Sequence, residues 1–244
     1  MDSERRRDYL QTLGIDVWLP RGAGASAPVA AVTTAQPQAA AIAQPLAAGD
    51  EGWRRLREDV LGCTRCPLHL TRTQGVFGVG PQRCDWLVIG EAPGAEEDRR
   101  GEPFVGAAGQ LLDAMLKAIG LDRRSNVYIA NVLKSRPPGN RDPKPEEVAA
   151  CLPFLERQIG LLQPKIMLAV GRIAAQNLLG TDTPLGRLRG QVHRFGATPL
   201  VVTYHPAYLL RTPSDKRKAW EDLKFARSVY QELCQGSATD GDRA

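Results

Sequence analysis

Residues able to bind and act on a small polar ligand follow three short apolar runs in this 244-residue chain. The loop after the first run carries Glu91, Glu97 and Phe104, whereas Asn131 ends the second run and His205 follows the third. Carboxylate, amide and imidazole groups can exchange hydrogen bonds or protons with a ligand, and an aromatic ring can stack on one. If the runs are parallel strands, these side chains share one cleft, because ligands bind at the carboxyl ends of strands in open α/β sheets.

Apolar segments that alternate with helical segments supply the elements that would position these residues. The strands are predicted at Trp86–Ile89, Val127–Val132, Ile166–Val170 and Leu200–Tyr204, and the helices at Ala107–Ile119, Pro145–Leu162, Arg172–Leu179 and Ser214–Leu233. Such alternation is typical of a parallel sheet with right-handed crossovers. The sequence therefore predicts an α/β fold, a three-layer α/β/α sandwich with a short, mainly parallel four-stranded central sheet.

Composition divides the chain into four segments. Residues 1–21 contain a short amphipathic piece, which is a candidate docking segment for a protein partner. Residues 22–50 are rich in Ala and Pro and carry no charge until the last position. A segment of this kind cannot bury enough apolar surface to order itself, so we predict a disordered linker. Residues 51–235 are predicted to form the folded domain, which opens with a helix at Glu51–Leu61, and residues 236–244 a disordered tail.

Bulk properties restrict the classes of protein to which the chain could belong. The net charge of +5 only mildly favours a polyanionic partner, and 43% hydrophobic residues is ordinary for a soluble domain. Five cysteines, an odd number in a chain of this size, argue against a secreted disulfide framework. No apolar run is long enough to span a bilayer, and the N-terminus lacks a signal-peptide core. We expect a cytoplasmic monomer with no membrane partner.

Three motifs occur in a characteristic order along the chain. They are Gly-Glu-Ala-Pro-Gly at 90–94 with Pro-Phe-Val-Gly at 103–106, Asn-Val-Leu-Lys-Ser-Arg-Pro-Pro-Gly-Asn-Arg at 131–141, and His-Pro-Ala-Tyr-Leu-Leu-Arg at 205–211. Together they resemble the motifs of the family 4 uracil-DNA glycosylases, the iron–sulfur type of that superfamily. The resemblance covers roughly residues 52–230. It implies a DNA-repair hydrolase that cleaves the N-glycosidic bond of uracil in DNA, leaves an abasic site and needs no soluble cofactor.

The resemblance implies a role for three residues of the loops. Phe104 would stack on a uracil flipped out of the DNA helix, and Asn131 would read its edge by accepting from N3–H and donating to O4. His205 would donate a hydrogen bond to O2 as negative charge grows on the departing base. Each residue also has a structural interpretation, as a core ring, a turn asparagine and a structural histidine.

The carboxylates differ from those of the best-known uracil-excising family. There an aspartate of the first motif activates water, and the matching position here is Ala92, which cannot do so. The resemblance points instead to Glu97 as the water-orienting or charge-stabilising group, with a solvated acidic turn as the alternative. Glu91 is expected to brace the loop or the base pocket. Gly94 matches a bulky residue that excludes the thymine methyl group, so the lesion range stays open.

Basic and apolar residues near these loops are candidate DNA contacts. Phosphate contacts position DNA without reading its sequence, and we expect them from Lys134, Arg136, Arg189 and Arg211. An apolar side chain can fill the gap that a flipped base leaves in the helical stack. Leu209 and Leu210 are candidates for such a wedge. For any one of these residues, an ordinary surface role is the alternative.

The cysteines depart from the family pattern at one position. Family 4 enzymes carry a [4Fe–4S] cluster on four cysteines, and three of these match Cys63, Cys66 and Cys151. The position that matches the fourth cysteine of the family is Ser135. Thiolates suit iron–sulfur clusters, whereas a serine hydroxyl is a harder and normally protonated ligand. We expect a structural cluster, with Ser135 or a nearby group on the fourth iron.

Three alternatives to that cluster stay open. Cys84 could replace the missing thiolate, although it precedes the first strand. His69, three residues after Cys66, could convert the set into a zinc site. The metal could also be lost, with packing holding the loop instead.

Two other functions compete with uracil excision. The first is a catalytically weak or inactive DNA-binding or polymerase-associated module on the same fold, which Ala92 and Ser135 keep open. The second is a relative that links covalently to the abasic sugar. Such a relative carries a histidine-bearing basic insertion after the asparagine motif, and no histidine lies between Asn131 and Cys151.

Overall fold

A computed structural model describes residues 50–240 of the chain, with side chains described as far as residue 235. The predicted segment 1–21, the predicted linker except for its last residue, and residues 241–244 lie outside the described part. No helix within that part is long and apolar enough to cross a membrane.

A five-stranded sheet forms the centre of the structure. The strands are β1 Trp86–Gly90, β2 Val127–Asn131, β3 Ile166–Val170, β4 His193–Phe195 and β5 Thr198–Thr203. Their order across the sheet is β2-β1-β3-β5-β4, in which the first four are parallel and β4 is antiparallel to β5. The mainly parallel sheet is therefore confirmed, and the predicted number of four strands is one too few.

The strand that the sequence did not predict is the short edge strand β4. It contains only three residues, none of them buried, and it joins β5 through a turn in which Gly196 has a φ of 57°. Its pairing runs from His193 opposite Leu200 to Phe195 opposite Thr198. A short, half-exposed strand has no continuous apolar run, so apolar patterning does not detect it.

Eight α-helices occur in the described part of the chain. They are α1 Asp50–Leu61, α2 Ala95–Arg100, α3 Ala107–Ala118, α4 Pro145–Leu162, α5 Arg172–Leu179, α6 Leu185–Leu188, α7 Pro206–Arg211 and α8 Lys216–Asp240. The bounds of α4 and α5 agree with the prediction. The last helix starts two residues later than predicted, because Pro213–Asp215 forms a 3-10 turn. It also extends five residues into the segment 236–244 that we expected to be disordered.

The strands divide their side chains between two hydrophobic cores, one on each face of the sheet. In β1, Leu87 and Ile89 belong to the core that includes residues of α1 and α4, whereas Trp86 and Val88 belong to the core that includes residues of α3 and α8. All five residues of each of β1, β2 and β3 are buried. Burial on both faces is typical of a parallel sheet covered by helices. The predicted three-layer sandwich is confirmed.

The strand register brings the candidate site residues to one edge of the sheet. Gly90 pairs with Asn131, and Val170 pairs with Thr203, so the parallel strands end level with one another. Glu91 follows β1 directly, and His205 lies two residues beyond β5. The loops that leave these strands therefore emerge side by side.

Two helical glycines should respond in opposite ways to substitution by alanine. At Gly109, in the first turn of α3, a Cβ would overlap the backbone carbonyl of Phe104, whereas at Gly160 in α4 a Cβ would meet nothing within 4 Å. We expect Gly160→Ala to stabilise the fold by about 0.5–1 kcal/mol through helix propensity. Gly109→Ala should instead destabilise it by about 2 kcal/mol or more, because the Phe104 turn must move.

Urea unfolding of the two variants and the parent protein measures both changes. Gly160→Ala is the matched control, because it makes the same chemical change in an open position. A Gly109→Ala variant as stable as the parent would show that the packing of α3 against the Phe104 turn does not constrain this loop.

Candidate active site

A cavity of about 430 Å³ opens at the carboxyl edge of the sheet. Five of the residues that line it are Glu91, Glu97, Phe104, Asn131 and His205. Other predicted site residues in its lining are Ala92, Gly94 and Arg211. The volume lies in the range of small-molecule sites. A larger cavity of about 860 Å³ lies at the amino ends of the strands around Trp86 and contains none of these residues.

Polar residues that we had not assigned to the site also line this cavity. They are Asn140, Arg141, Asp142 and Tyr208. Asn140 and Arg141 belong to the same motif as Asn131, Asp142 follows that motif directly, and Tyr208 belongs to the motif that begins with His205. Motif membership was therefore the signal that could have identified them.

The side-chain oxygen of Asn131 is a buried acceptor that nothing in the described part of the chain satisfies. Asn131 is 2% exposed, and its Oδ1 has no hydrogen-bond partner there. Burying an unpaired acceptor costs roughly 1–3 kcal/mol, and native structures rarely leave one without a reason. A ligand that presents an N–H group to Oδ1 would remove this cost.

Phe104 is held in an unusual backbone conformation beside Asn131. Its φ is 55°, in the left-handed region that a bulky residue seldom adopts. Arg123 fixes this turn, because its guanidinium donates to the carbonyl oxygens of Phe104, at 2.9 Å, and Pro103, at 3.2 Å. A Cβ on Gly90 would overlap both the Phe104 ring and Asn131 Oδ1. The absence of a side chain at Gly90 therefore leaves room for both the ring and the amide at the end of β1.

The hydrogen bonding of His205 defines which ring nitrogen can donate. His205 caps α7, and its Nδ1 accepts a hydrogen bond of 3.1 Å from the backbone N–H of Ala207. A neutral imidazole with Nδ1 as acceptor carries its proton on Nε2. Burial, and secondarily the charge of Arg211, lower the pKa of His205 to about 4, against an opposing effect of Glu97. His205 is therefore a neutral Nε2–H donor at pH 7.

His205 also packs tightly against its neighbours. Its ring centroid lies 5.6 Å from that of Phe104, with 31° between the ring planes. On the other side, a Cβ on Gly171 would approach the Cβ of His205 to 2.9 Å. The glycine after β3 thus leaves room for the imidazole at the cavity wall.

Glu97 links the two loop segments that follow β1. Its Oε1 accepts hydrogen bonds from the backbone N–H groups of Val105, at 3.0 Å, and Gly106, at 3.2 Å. A Cβ on Gly94 would approach Oε2 to 2.7 Å, so Gly94 gives this oxygen its space. Glu97 therefore closes the loop and also presents a carboxylate to the cavity, where it can orient a water molecule.

Glu91 titrates near neutral pH because of its surroundings. Burial is the main cause that raises its pKa to about 7, the charge of Asp142 adds to the rise, and that of Arg172 opposes it. Glu91 lies at the carboxyl end of β1 and lines the cavity. Its protonated form can donate a hydrogen bond, which the ionised form cannot.

Lys134 does not lie where a phosphate contact could form, so that prediction is wrong. It is 1% exposed, and its Nζ donates to the backbone oxygen of Asn131, at 2.7 Å, and to Gln158 Oε1, at 2.6 Å. Gln158 in turn donates to the carbonyl oxygen of Phe77 at 2.8 Å. The lysine anchors the turn that carries Asn131 instead of facing solvent. A basic residue within a polar motif gives no sign of this burial in the sequence.

Two other predicted DNA contacts also have structural roles. Leu209 is 1% exposed and belongs to the core between the sheet and α8, so it cannot act as a wedge. Arg189 pairs with Asp222 at 2.7 Å and lies over the Tyr204 ring at 4.6 Å, with little of its side chain exposed. The wedge prediction for Leu209 is therefore wrong, whereas the contact of Arg189 with DNA stays a prediction. Neighbouring Leu210 is exposed.

The remaining two basic candidates stay near the surface. Arg211 is exposed and lines the cavity. Arg136 is half-buried, and its Nε donates to Asn140 Oδ1 at 2.7 Å. Their contacts with DNA stay predictions.

The cysteine set does not provide the four thiolates of a [4Fe–4S] cluster. Cys66 and Cys151 are buried and Cys63 is partly buried, but the fourth position is the hydroxyl of Ser135. That Oγ accepts a hydrogen bond of 2.7 Å from Arg72. A hydroxyl engaged with a guanidinium does not fit a thiolate position of a cluster.

The structure also places the other two candidate metal ligands. The Cys84 thiol donates to the carbonyl oxygens of Pro81 and Trp86 at 3.4 Å, at the amino end of β1 and therefore at the opposite edge from Ser135. His69 Nδ1 lies 2.7 Å from the carbonyl oxygen of Cys66. Within residues 50–235, no three His, Cys, Asp or Glu side chains are grouped so that they could hold a single metal ion.

Fold and cavity together define a member of the uracil DNA glycosylase superfamily, whose family model matches residues 77–224. The type-4 uracil-DNA glycosylase of Archaeoglobus fulgidus is 46% identical over 174 residues, 68% of this chain and 87% of the relative. That of Thermotoga maritima is 44% identical over 71% of this chain and 92% of the relative. The type-5 enzyme of Thermus thermophilus is 34% identical over 53% of this chain and 68% of the relative. The chain belongs to the type-4 uracil-DNA glycosylase family.

Removing the amine of Lys134 should destabilise the protein. Lys134→Met leaves the oxygens of Asn131 and Gln158 buried without a donor, and we expect a loss of about 2–4 kcal/mol in the free energy of unfolding. The exposed Lys117→Met is the control and should change it by less than about 0.5 kcal/mol. Urea unfolding at pH 7 measures both. Equal stability of the two variants would contradict the anchoring role.

The raised pKa of Glu91 should make part of the stability depend on pH. Between pH 4.5 and about 7 the unfolded chain ionises at Glu91 while the folded chain retains the proton, so the parent loses stability as pH rises. Glu91→Gln cannot ionise and escapes this loss. After allowance for solvent screening, we expect the variant to gain about 2 kcal/mol on the parent between pH 4.5 and 8. A constant difference in unfolding free energy across that range would contradict the assignment.

Proposed function

We propose that this chain is a uracil-DNA glycosylase, a hydrolase that cleaves the N-glycosidic bond of uracil in DNA and leaves an abasic site. The observation that carries the proposal is the unpaired, buried Oδ1 of Asn131, which, like the Phe104 ring, lies against Gly90 at the end of β1. The family to which the chain belongs, and the uracil-DNA glycosylase activity after which its type-4 relatives are named, support the same reaction.

The amide of Asn131 distinguishes uracil from cytosine by the direction of its hydrogen bonds. Uracil presents a donor at N3 and an acceptor at O4, which match the Oδ1 and Nδ2 of an asparagine. Cytosine presents an acceptor at N3 and a donor at the neighbouring position. In a site where Oδ1 has no other partner, cytosine would leave Oδ1 unpaired and would place its own N3 acceptor against the Oδ1 acceptor. Such a mismatch in a buried site is a strong source of rejection.

Phe104 and His205 act on the base once it has left the helical stack. The Phe104 ring provides a flat surface on which an extruded pyrimidine can stack. As the glycosidic bond breaks, its electron pair moves to the base and negative charge accumulates on O2. A neutral Nε2–H of His205 aimed at that oxygen stabilises this charge without having to transfer a proton.

Glu97 is the carboxylate that we assign to the sugar side of the reaction. Loss of the base leaves an oxocarbenium-like sugar, which a nearby carboxylate stabilises and to which a water molecule must add. Ala92 offers no such group, and Glu97 lines the same cavity with its position fixed by two backbone hydrogen bonds. The attacking water gives its oxygen to the sugar carbon, and its proton passes to Glu97.

Several features of the protein beyond the reaction stay predictions. We propose contacts with DNA phosphates from Arg136 and Arg211 and a wedge role for Leu210, which are the candidates that the fold leaves near the surface. The monomeric state, the cytoplasmic setting and a protein partner for residues 1–21 rest on sequence alone. The resemblance implies a structural [4Fe–4S] cluster, and the hydroxyl at Ser135 argues against the four-thiolate form of it.

A second candidate function is a DNA-binding module without catalytic activity. Ala92, in place of the water-activating aspartate of the best-known family, is the observation that favours it. Such a protein would bind uracil-containing DNA in the same cavity and would release no free uracil.

Removing the two polar groups that contact the base should abolish most of the activity. We expect Asn131→Ala and His205→Ala each to lower the rate of uracil release from a uracil-containing oligonucleotide by about 100-fold or more, as for the loss of other charge-stabilising donors. Neither should lower the melting temperature enough to unfold the protein at the assay temperature.

Asn177→Ala and His193→Ala are the matched controls, since neither residue lines the cavity. Uracil release by Asn131→Ala and His205→Ala at the parental rate would contradict the assigned site. Binding of uracil DNA by the parent protein without release of uracil would select the inactive module instead.

A further inference from the structure

Arg72 connects two segments that are distant in the sequence. One guanidinium nitrogen, Nη1, donates to Ser135 Oγ at 2.7 Å and lies 3.4 Å from the carbonyl oxygen of Val60. The other, Nη2, donates to the carbonyl oxygens of Leu61, at 2.7 Å, and Cys63, at 3.0 Å. The planar fork of arginine suits several acceptors at once. It joins the end of α1 to the loop that follows β2.

The surroundings of Arg72 are shaped to hold this guanidinium. A Cβ on Gly75 would lie 2.9 Å from the carbonyl oxygen of Val60 and 3.4 Å from Nη1, so the glycine leaves the space that the side chain uses. The carbonyl oxygens at the end of α1 have no partner within the helix, and Arg72 satisfies two of them, those of Val60 and Leu61. The contact therefore also caps α1.

The segment of Arg72 continues into the site. The next residue, Thr73, donates its backbone N–H to the buried carboxylate of Asp98 at 2.9–3.0 Å. Asp98 lies in α2, beside Glu97. On the other side, Ser135 is four residues after Asn131. The segment of Arg72 and Thr73 thus links the helix that carries Glu97 to the loop that follows Asn131.

These are the segments that a cluster on the matching cysteine positions would join. Cys63 and Cys66 follow α1, and position 135 lies in the loop after β2. With a hydroxyl there, the position has lost its thiolate, but it has an acceptor that a guanidinium can bind. The same change of residue that removes a cluster ligand supports the hydrogen bond to Arg72.

We propose that the Arg72–Ser135 hydrogen bond, with the three carbonyl contacts of Arg72, replaces the [4Fe–4S] cluster as the tie between α1 and the loop after β2, and that the protein folds without iron. The inference concerns the fold alone and does not depend on uracil excision.

The first test measures metal content. The full chain is purified anaerobically from iron-replete cells, and a second sample is incubated anaerobically with ferrous iron, sulfide and a thiol reductant. We expect iron and acid-labile sulfide far below one cluster per chain in both samples, with no visible absorption band. A full complement of iron and sulfide for one cluster in either sample would overturn the proposal.

The second test measures how much the Arg72 contacts contribute to the stability of the protein. We expect Arg72→Met to lower the midpoint of thermal unfolding by about 5 °C or more, and the exposed Arg83→Met, as a matched control, by about 1 °C or less. Ser135→Ala should lower the midpoint in the parent but have less effect in the Arg72→Met background, because the two residues share one interaction. If Arg72→Met does not accumulate in folded form, Arg72→Lys and Arg83→Lys are compared instead. Equal midpoints for the Arg72 and Arg83 variants would overturn the proposal.

Discussion

The last residue of β1 must lack a side chain for the rest of the site to form. Gly90 pairs with Asn131 across the sheet, and a single methyl group there would overlap both the Asn131 amide oxygen and the Phe104 ring. The amide and the ring therefore both lie against the strand end, and the amide oxygen is buried. An acceptor and a stacking surface that line the same cavity favour flat ligands with an N–H edge.

Buried polar groups behind the cavity keep these parts in place. Lys134 and Gln158 anchor the backbone of Asn131, and Arg123 fixes the left-handed turn of Phe104. Glu97 closes the loop between β1 and α3. A site that depends on preorganised donors and acceptors needs such support, because hydrogen bonds weaken steeply when the geometry is lost. The electrostatic state of the site follows from the same burial, which keeps His205 neutral at pH 7.

Much of this could be predicted from the sequence, since the β1, β2, β3 and β5 segments are apolar runs between turn signals and the site residues follow their carboxyl ends. Three kinds of feature could not be predicted from the sequence. The edge strand β4 lacks an apolar pattern. The burial of Lys134 and Leu209 and the ion pair of Arg189 depend on partners distant in the sequence, such as Gln158 and Asp222. The Arg72–Ser135 contact joins residues 63 positions apart and leaves no local signal.

A structure of the protein with uracil bound tests the central claim most directly. The account predicts uracil stacked on Phe104, with N3 about 3 Å from Asn131 Oδ1 and O2 about 3 Å from His205 Nε2. Uracil bound elsewhere, or bound in this cavity with the Asn131 amide turned so that its NH2 group faces N3, would contradict it.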